Sequence, residues 1–414
     1  MSSFRKRTAA IQPKLPAGAK LSPHNGQVLV SSGIPSLDDL LGGGLPVGSV
    51  VLVLSDRYTD YSNILLRYFV AQGLASGHQL HLASADMDPQ KIIQRAPSWT
   101  TTSPTPNTSA DSPAVQKTTE ALDKLKIAWR YQNLPTGDQD TARRTTGTTP
   151  FCEKFDLMVP VKPRIIDQAT VSYTDLTQPR NTSEDANEDG NDKDRNQGIT
   201  DDYEALFAEL AHAIEDGGFS SLAPAAKAPA ERNILRIGIH DLASPYWQAQ
   251  SDESCARFLH ALRGLLRFSF GVCMITLPAH LYQTESERPG AVRRWEQLCD
   301  AVVELESFNG SRNTKATAGG LDCNGFFYIH KQPQLNSLVP SSSKLVTVSG
   351  NQLSANNLAF KQKRHKFYIE TFYLPPEGGV SERRVEPRSS SSSSAAGKTS
   401  KTASSGRACS SLDF

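Results

Sequence analysis

The sequence predicts an α/β fold: a mostly parallel, twisted sheet flanked by helices, with long disordered inserts and tails. Three observations predict it. Short apolar runs alternate along the chain with segments of helical periodicity. The apolar runs end in polar or turn residues, as strands do where a parallel sheet meets its loops. Between these blocks lie polar tracts too poor in large apolar side chains to offset their own ordering entropy.

The elements follow in chain order. Val50 to Leu54 is a short buried strand. Asn63 to Ala75 follows, with Ile64, Leu65, Phe69, Val70 and Leu74 near helical spacing and Gly77 as its stop. Gln79 to Ala83 reads as a second strand leading to Ser84-Ala85-Asp86, and Lys124 to Tyr131 as a third, amphipathic one. Asp202 to Glu215 places Leu206, Leu210 and Ile214 on one helical face. Asn233 to His240 is a strand that ends at Asp241, Phe258 to Arg267 a helix, and Gly271 to Leu277 an apolar strand. The chain divides into a basic N-terminal arm (1–24), one folded domain (25–380) with inserts at about 97–120, 136–150 and 174–202, and a Ser-rich tail (381–414).

Chemistry is expected after the first strand, and it is missing. A glycine-rich segment, Gly33 to Pro46, leads into Val50–Leu54, after which an NTPase needs Gly-x-x-x-x-Gly-Lys-[Ser/Thr]. This chain supplies Ser55-Asp56-Arg57-Tyr58-Thr59-Asp60-Tyr61-Ser62. Ser55 and Asp60 replace the glycines that turn backbone N–H groups toward phosphate, and Tyr61 replaces the lysine. Loss of that charge pair removes roughly 4 kcal/mol at about 4 Å near a protein surface, and Asp56 and Asp60 add repulsion. Only Ser62 matches, and its hydroxyl reads more simply as a helix N-cap. Asp241 stands where a Walker B carboxylate would, but a strand-end Asp is more often a turn residue. No catalytic residue, metal or cofactor bound by this chain alone is expected.

The formal net charge of +1 gives no global field for nucleic acid. It hides an asymmetry, because the acidic tract Glu184 to Asp192 offsets basic clusters such as Lys361, Lys363, Arg364 and Lys366. Six cysteines are scattered without a C-x-x-C, which suits reduced thiols. With no apolar leader and no run of eighteen apolar residues, a soluble, intracellular protein with no membrane contact is expected.

Several ordered blocks carry a resemblance. The Gly33–Pro46 segment is similar to the lead-in motif of RecA/RadA/KaiC-type ATPases. Arg236 to Trp247, Phe258 to Arg267, Ile275 to Leu281, Asp300 to Phe308, Gly325 to Lys331, and Leu358 through Glu377 together resemble the PAXNEB family, Elongator complex subunit four. Departures are Gln332 and Gln334 and the long inserts after Pro97 and Tyr173. The resemblance implies a RecA-like domain with a degenerate P-loop. It implies a non-catalytic subunit in a hetero-hexameric ring with Elongator subunits five and six, docked on the Elongator scaffold subunit. That ring supports tRNA wobble-uridine modification and binds tRNA, in cytoplasm and nucleus.

The resemblance leaves open whether ATP sits at the ring interfaces. It points to Arg288, Arg293 and Arg294 as RNA contacts, since RecA-like rings turn the corresponding loop toward the central opening; Lys361, Lys363, Arg364 and Lys366 come second. Trp247, Tyr246, Phe308 and Phe360 are candidates for contacts between ring subunits. Two other readings stay open: an active RecA-like ATPase or recombinase, and a pure scaffold, including an accessory role in transcription elongation or histone acetylation.

Overall fold

The computed structural model describes residues 15–23, 25–99, 150–177, 201–221, 233–251, 253–282, 290–309, 323–336 and 358–372. The Lys124–Tyr131 strand, the Thr-rich and acidic inserts, the Ser-rich tail and Arg288 lie outside them.

The described chain opens on a small antiparallel sheet of β1 (Ala19–Leu21), β2 (Val28–Val30) and β3 (Leu45–Pro46), with α1 (Pro35–Leu40) between its last two strands. β1 falls inside the segment expected to be a free arm. Lys20 lies 3.7 Å above the Phe151 ring, and Ala19 packs on the core. The main sheet collects β4 (Val50–Leu54), β5 (Gln79–Ser84), β8 (Val171–Asp175), β9 (Leu235–His240), β10 (Gly271–Leu277), β11 (Ala301–Ser307), β12 (Gly325–Lys331), β13 (Leu358–Gln362) and β14 (Phe367–Thr371). Its order is β14-β13-β12-β11-β4-β10-β9-β5-β8. From β11 to β8 every pairing is parallel, and from β11 to β14 every pairing is antiparallel. β6 (Pro97–Trp99) and β7 (Phe155–Pro160) form a separate pair, followed by α4 (Pro163–Gln168).

The predicted α/β class therefore holds, with an antiparallel wing that the apolar runs did not announce. Insert boundaries also move: residues 97–99 and 174–175 lie in strands, and Asp201 caps a helix, its carboxylate accepting from Tyr203 N at 3.0 Å.

Sheet position explains composition. β4, β9 and β10 lie in the parallel half and are buried on both faces, hence their continuous apolar runs. On one face α1, α2 (Tyr61–Ser76) and α3 (Gln90–Gln94) pack Leu37, Leu65, Phe69 and Ile93. α2 is covered nearly all round, so it lacks a polar stripe, and it ends at Gly77, whose φ of 69° suits a left-handed cap. Gly33 fixes the approach of the lead-in segment: at φ 91°, a Cβ there would come within 2.4 Å of the Tyr68 carbonyl oxygen. On the other face α5 (Asp202–Asp216), α6 (Ser254–Arg267) and α7 (Gly290–Leu298) bury Leu206, Leu210, Phe258, Leu262 and Trp295.

Polar locks fix this arrangement. Asp38, buried in α1, accepts from Ser32 N and Ser32 Oγ at 2.7 Å each and from Ser31 Oγ, closing the turn before the helix. Asp300 accepts from Val50 N at 3.0 Å and pairs with Arg263 and Arg267, tying the start of β4 to α6. At the outer edge of β14, the N–H groups of Phe367 and Ile369 donate to Tyr68 Oη and Ser36 Oγ at 3.1 and 2.9 Å. In the middle of the sheet, Arg236 of β9 is fully buried. It donates from Nε to His78 Nδ1 at 2.9 Å and from Nη1 to the Phe69 carbonyl at 3.2 Å.

Acid sensitivity follows from the buried imidazoles. Burial, and then Arg236, takes the His78 imidazole from 6.5 down to about 3; burial takes His81 to about 4. Both are neutral in the fold and bind protons more readily when it is lost. The stability they contribute is complete above about pH 6.5 and is lost as pH falls through 4 and 3. Asp38, raised by burial to about 6, acts in the opposite sense below pH 6. Urea unfolding should therefore show a net loss on the order of 2 kcal/mol between pH 6.5 and 5, and His78→Gln with His81→Gln should abolish that loss and leave the weaker, opposite trend of Asp38.

Candidate functional site

The β4–α2 loop sits at the C-terminal edge of the parallel strands, the crevice where such sheets bind ligands. It lines an open cleft of about 330 Å³ with Asp241 and His280. Each residue that departs from the phosphate-binding pattern has a structural task there. Ser55 directs both its N–H and its hydroxyl at the Leu277 carbonyl, at 2.9 and 3.1 Å. Asp56 folds its carboxylate back into the loop. Oδ1 accepts from Thr59 N at 2.9 Å and from Thr59 Oγ1 at 2.8 Å, and Oδ2 accepts from Ser307 N at 3.0 Å. A backbone N–H that a phosphate would use is thus held by the protein's own anion.

Asp60 occupies the N-cap position of α2, which corrects the expectation that Ser62 would cap it. The Asp60 side chain accepts from Asn63 Nδ2 and pairs loosely with Arg67 at 3.4 Å. Ser62 is the second helical residue and is 2% exposed. The lysine position holds the larger surprise. Tyr61 does not line the cleft; its ring is buried edge-on against Phe360, with centroids 4.7 Å apart, and lies near Phe367. Its side chain points into the antiparallel wing, so the position belongs to the core.

Asp241 closes β9 in the left-handed region at φ 43°, and Ala243 follows at φ 62°. Such residues cost of order 1–3 kcal/mol each and persist where the surroundings hold them. Here Thr276 does so: its Oγ1 accepts from Asp241 N at 2.8 Å and donates to Asp241 Oδ1 at 2.9 Å, while its carbonyl accepts from Leu242 N. Asp86 stands at the matching end of the neighbouring strand β5 and accepts from Ser244 Oγ. Burial, chiefly, lifts its carboxyl above the ordinary value. The chain signalled Asp86 as it did Asp241, as a carboxylate just after an apolar strand.

The basic candidates separate into two places. Arg293 and Arg294 are exposed on α7, outward of the buried pair Val292 and Trp295; Arg294 approaches Glu253 at 3.9 Å. Lys361 pairs with Glu370 at 2.6 Å. Lys363, Arg364 and Lys366 are exposed on the tight turn between β13 and β14, with both lysines over the Tyr368 ring at 5.8 and 5.4 Å. The clusters do not meet. α7 rests on the α5–α6 side of the sheet, whereas this turn lies against β7, with Leu157 N donating to the His365 carbonyl. Of the aromatic candidates, Phe360 and Trp247 are core residues, Phe308 is half-buried against Phe326, and Tyr246 is 67% exposed.

The comparisons with known proteins agree with one another. The PAXNEB protein family matches residues 12–414. The chain is 35% identical over 390 residues to Elongator complex protein 4 of Xenopus laevis, covering 91% of this chain and 86% of that protein. It is 36% identical over 373 residues to Elongator complex protein 4 of Homo sapiens, covering 87% and 80%. The protein of the same name from Schizosaccharomyces pombe is 26% identical over 393 residues, covering 91% and 93%.

The loop geometry makes a direct prediction. Tyr61→Lys places an ammonium group among Phe360 and Phe367, and should cost about 3 kcal/mol of stability in urea unfolding. It should also give no ATP-dependent rise in Tm, because Asp56 still holds the loop.

Proposed function

This chain belongs to the PAXNEB family, and on that premise we propose that it is a non-catalytic, RecA-like subunit of the hetero-hexameric ring of the Elongator complex. It assembles with subunits five and six, the ring docks on the scaffold subunit, and it helps bind tRNA for wobble-uridine modification, in cytoplasm and nucleus. The observation that carries the reading is the Asp56 carboxylate. It holds the Thr59 N–H of the loop and the Ser307 N–H at the end of β11, so a loop N–H that a phosphate would use is already taken by the chain's own anion. Any ATP at the ring therefore depends on groups from neighbouring subunits.

For RNA the exposed side chains divide unequally. Arg293, Arg294, Lys363, Arg364 and Lys366 are exposed. Arg294 to Glu253, at 3.9 Å, is a surface pair of little worth. Lys361, committed to Glu370, is the weakest candidate. Phosphate contact by such residues is sequence-independent and weakens as salt rises.

Two measurements test the proposal. Native mass determination of the chain co-expressed with subunits five and six should give a hetero-hexamer without ATP turnover by this chain alone; a lone monomer contradicts it. In the assembled ring, Arg293→Ala with Arg294→Ala should weaken tRNA binding several-fold and lower the slope of log K against log salt by about one to two. Unchanged affinity and slope remove α7 as an RNA contact and leave the turn at 363–366 to be tested in the same way.

A further inference from the structure

β8 is the last strand of the main sheet on its side. Leu80 N donates to the Thr170 carbonyl and Leu176 N to the Ser84 carbonyl, both at 3.0 Å, so the even-numbered residues of β8 turn their backbone groups toward β5. In a parallel ladder the intervening residues turn theirs away. The N–H and C=O groups of Val171, Tyr173 and Asp175 therefore face outward, and among the described residues no strand meets them. The opposite end of the sheet differs, since Tyr68 and Ser36 occupy outward N–H groups of β14. An open row of this kind is a template for one more strand.

The two faces beside that edge differ in chemistry. On the α3 side lies an open groove of about 580 Å³, lined chiefly by Ile93, Pro160, Val161, Ile166, Val171 and Tyr173. On the α5 side stand Ser172 and Thr174, and Thr174 Oγ1 donates to the Glu209 carboxylate of α5. A strand laid against β8 therefore needs large apolar side chains at every second position, with polar or positively charged ones between them. Lys124–Tyr131 has that pattern. Leu125, Ile127, Trp129 and Tyr131 alternate with Lys124, Lys126, Ala128 and Arg130.

We propose that Lys124–Tyr131, which lies outside the described residues, is the occupant of this edge: it adds a strand beside β8, sets its apolar side chains along the groove and turns its basic ones toward Glu209. The tether permits it. The segment is joined to the described chain at Trp99 of β6, whose first residue Pro97 pairs with Pro160 on the groove wall, and at Pro150. Residues 100–123 and 132–149, on either side of it, each reach about 60 Å or more when extended. Other undescribed stretches fit less well. Residues 178–200 are rich in Asn, Asp and Glu and would bring further negative charge to Glu209, and residues 337–357 join β12 to β13 at the other end of the sheet.

Hydrogen exchange of the full chain tests this. The amides of Val171, Tyr173 and Asp175 should exchange at least about 10-fold more slowly than an open edge allows. Replacing residues 124–131 with a Gly/Ser stretch of the same length should release them while the β9 amides stay protected, which shows that the variant is folded. Ile127→Asp with Trp129→Asp should do the same, and a synthetic peptide of residues 122–133 should restore protection to the replaced chain. A zero-length carbodiimide cross-link should join Lys124 or Lys126 to Glu209 within one unaltered chain, a result that stands even where a variant does not fold. Free exchange of the three amides in the unaltered chain, protection that survives in the folded replacement, cross-links of these lysines only to other carboxylates, or protection lost on dilution, which assigns the edge to a second copy, would each overturn the proposal.

Discussion

Burial of the Arg236 guanidinium is the constraint on which the rest of the structure depends. An arginine with no solvent exposure in a central strand is costly unless its donors find acceptors and its stem is packed, and here Nη2 has no hydrogen-bond partner among the described residues. His78 accepts one N–H, the Phe69 carbonyl another, and the Phe69 ring lies 4.8 Å from the guanidinium carbon. Burial lowers its pKa to about 9, and Asp38 works the other way at longer range. Because side chains alternate along a strand, a slip of one residue in β9 would move Arg236 to the opposite face, against the apolar floor of α5 and α6. The register that seats Arg236 under α2 is therefore the register that delivers His240 and Asp241 to the edge of the sheet.

The Ser55–Ser62 loop is held in place by the chain's own groups. Asp56 supplies the negative charge that Thr59 N–H meets, and Leu277 the acceptor for Ser55. Tyr61 turns the same helix start into a joint with the antiparallel wing. The wing and the loop thus share one apolar contact, through Phe360 and Phe367, and the loss of a charged side chain is matched by a gain in packing.

Much of this was legible in the chain, for identifiable reasons. β4, β9 and β10 are continuous apolar runs because both faces are covered, and α5 shows its buried stripe because only one face is. β8, β12 and β14 are half-buried, and β12 finds β13 across a long stretch of sequence, so their pairing leaves little local trace. The departure of Ser55–Ser62 from the phosphate-binding pattern was readable from residue types. Its reason was not: Asp56 reads as repulsion toward phosphate until Thr59 and Ser307 are seen to fold onto it, although an Asp three residues before a Thr is a turn signature. Likewise, a tyrosine in a lysine's place reads as a missing charge, and only the position of Phe360 shows where the ring goes.

The hydroxyls of Tyr68 and Ser36 that meet β14 have a consequence beyond holding a strand. A sheet edge with open N–H groups is a template for another chain, and a subunit made before its partners arrive would be exposed to that hazard. By occupying the outward N–H groups of Phe367 and Ile369, α1 and α2 blunt that end of the sheet for any incoming strand. The same two hydroxyls therefore leave that edge with two fewer open donors for another strand.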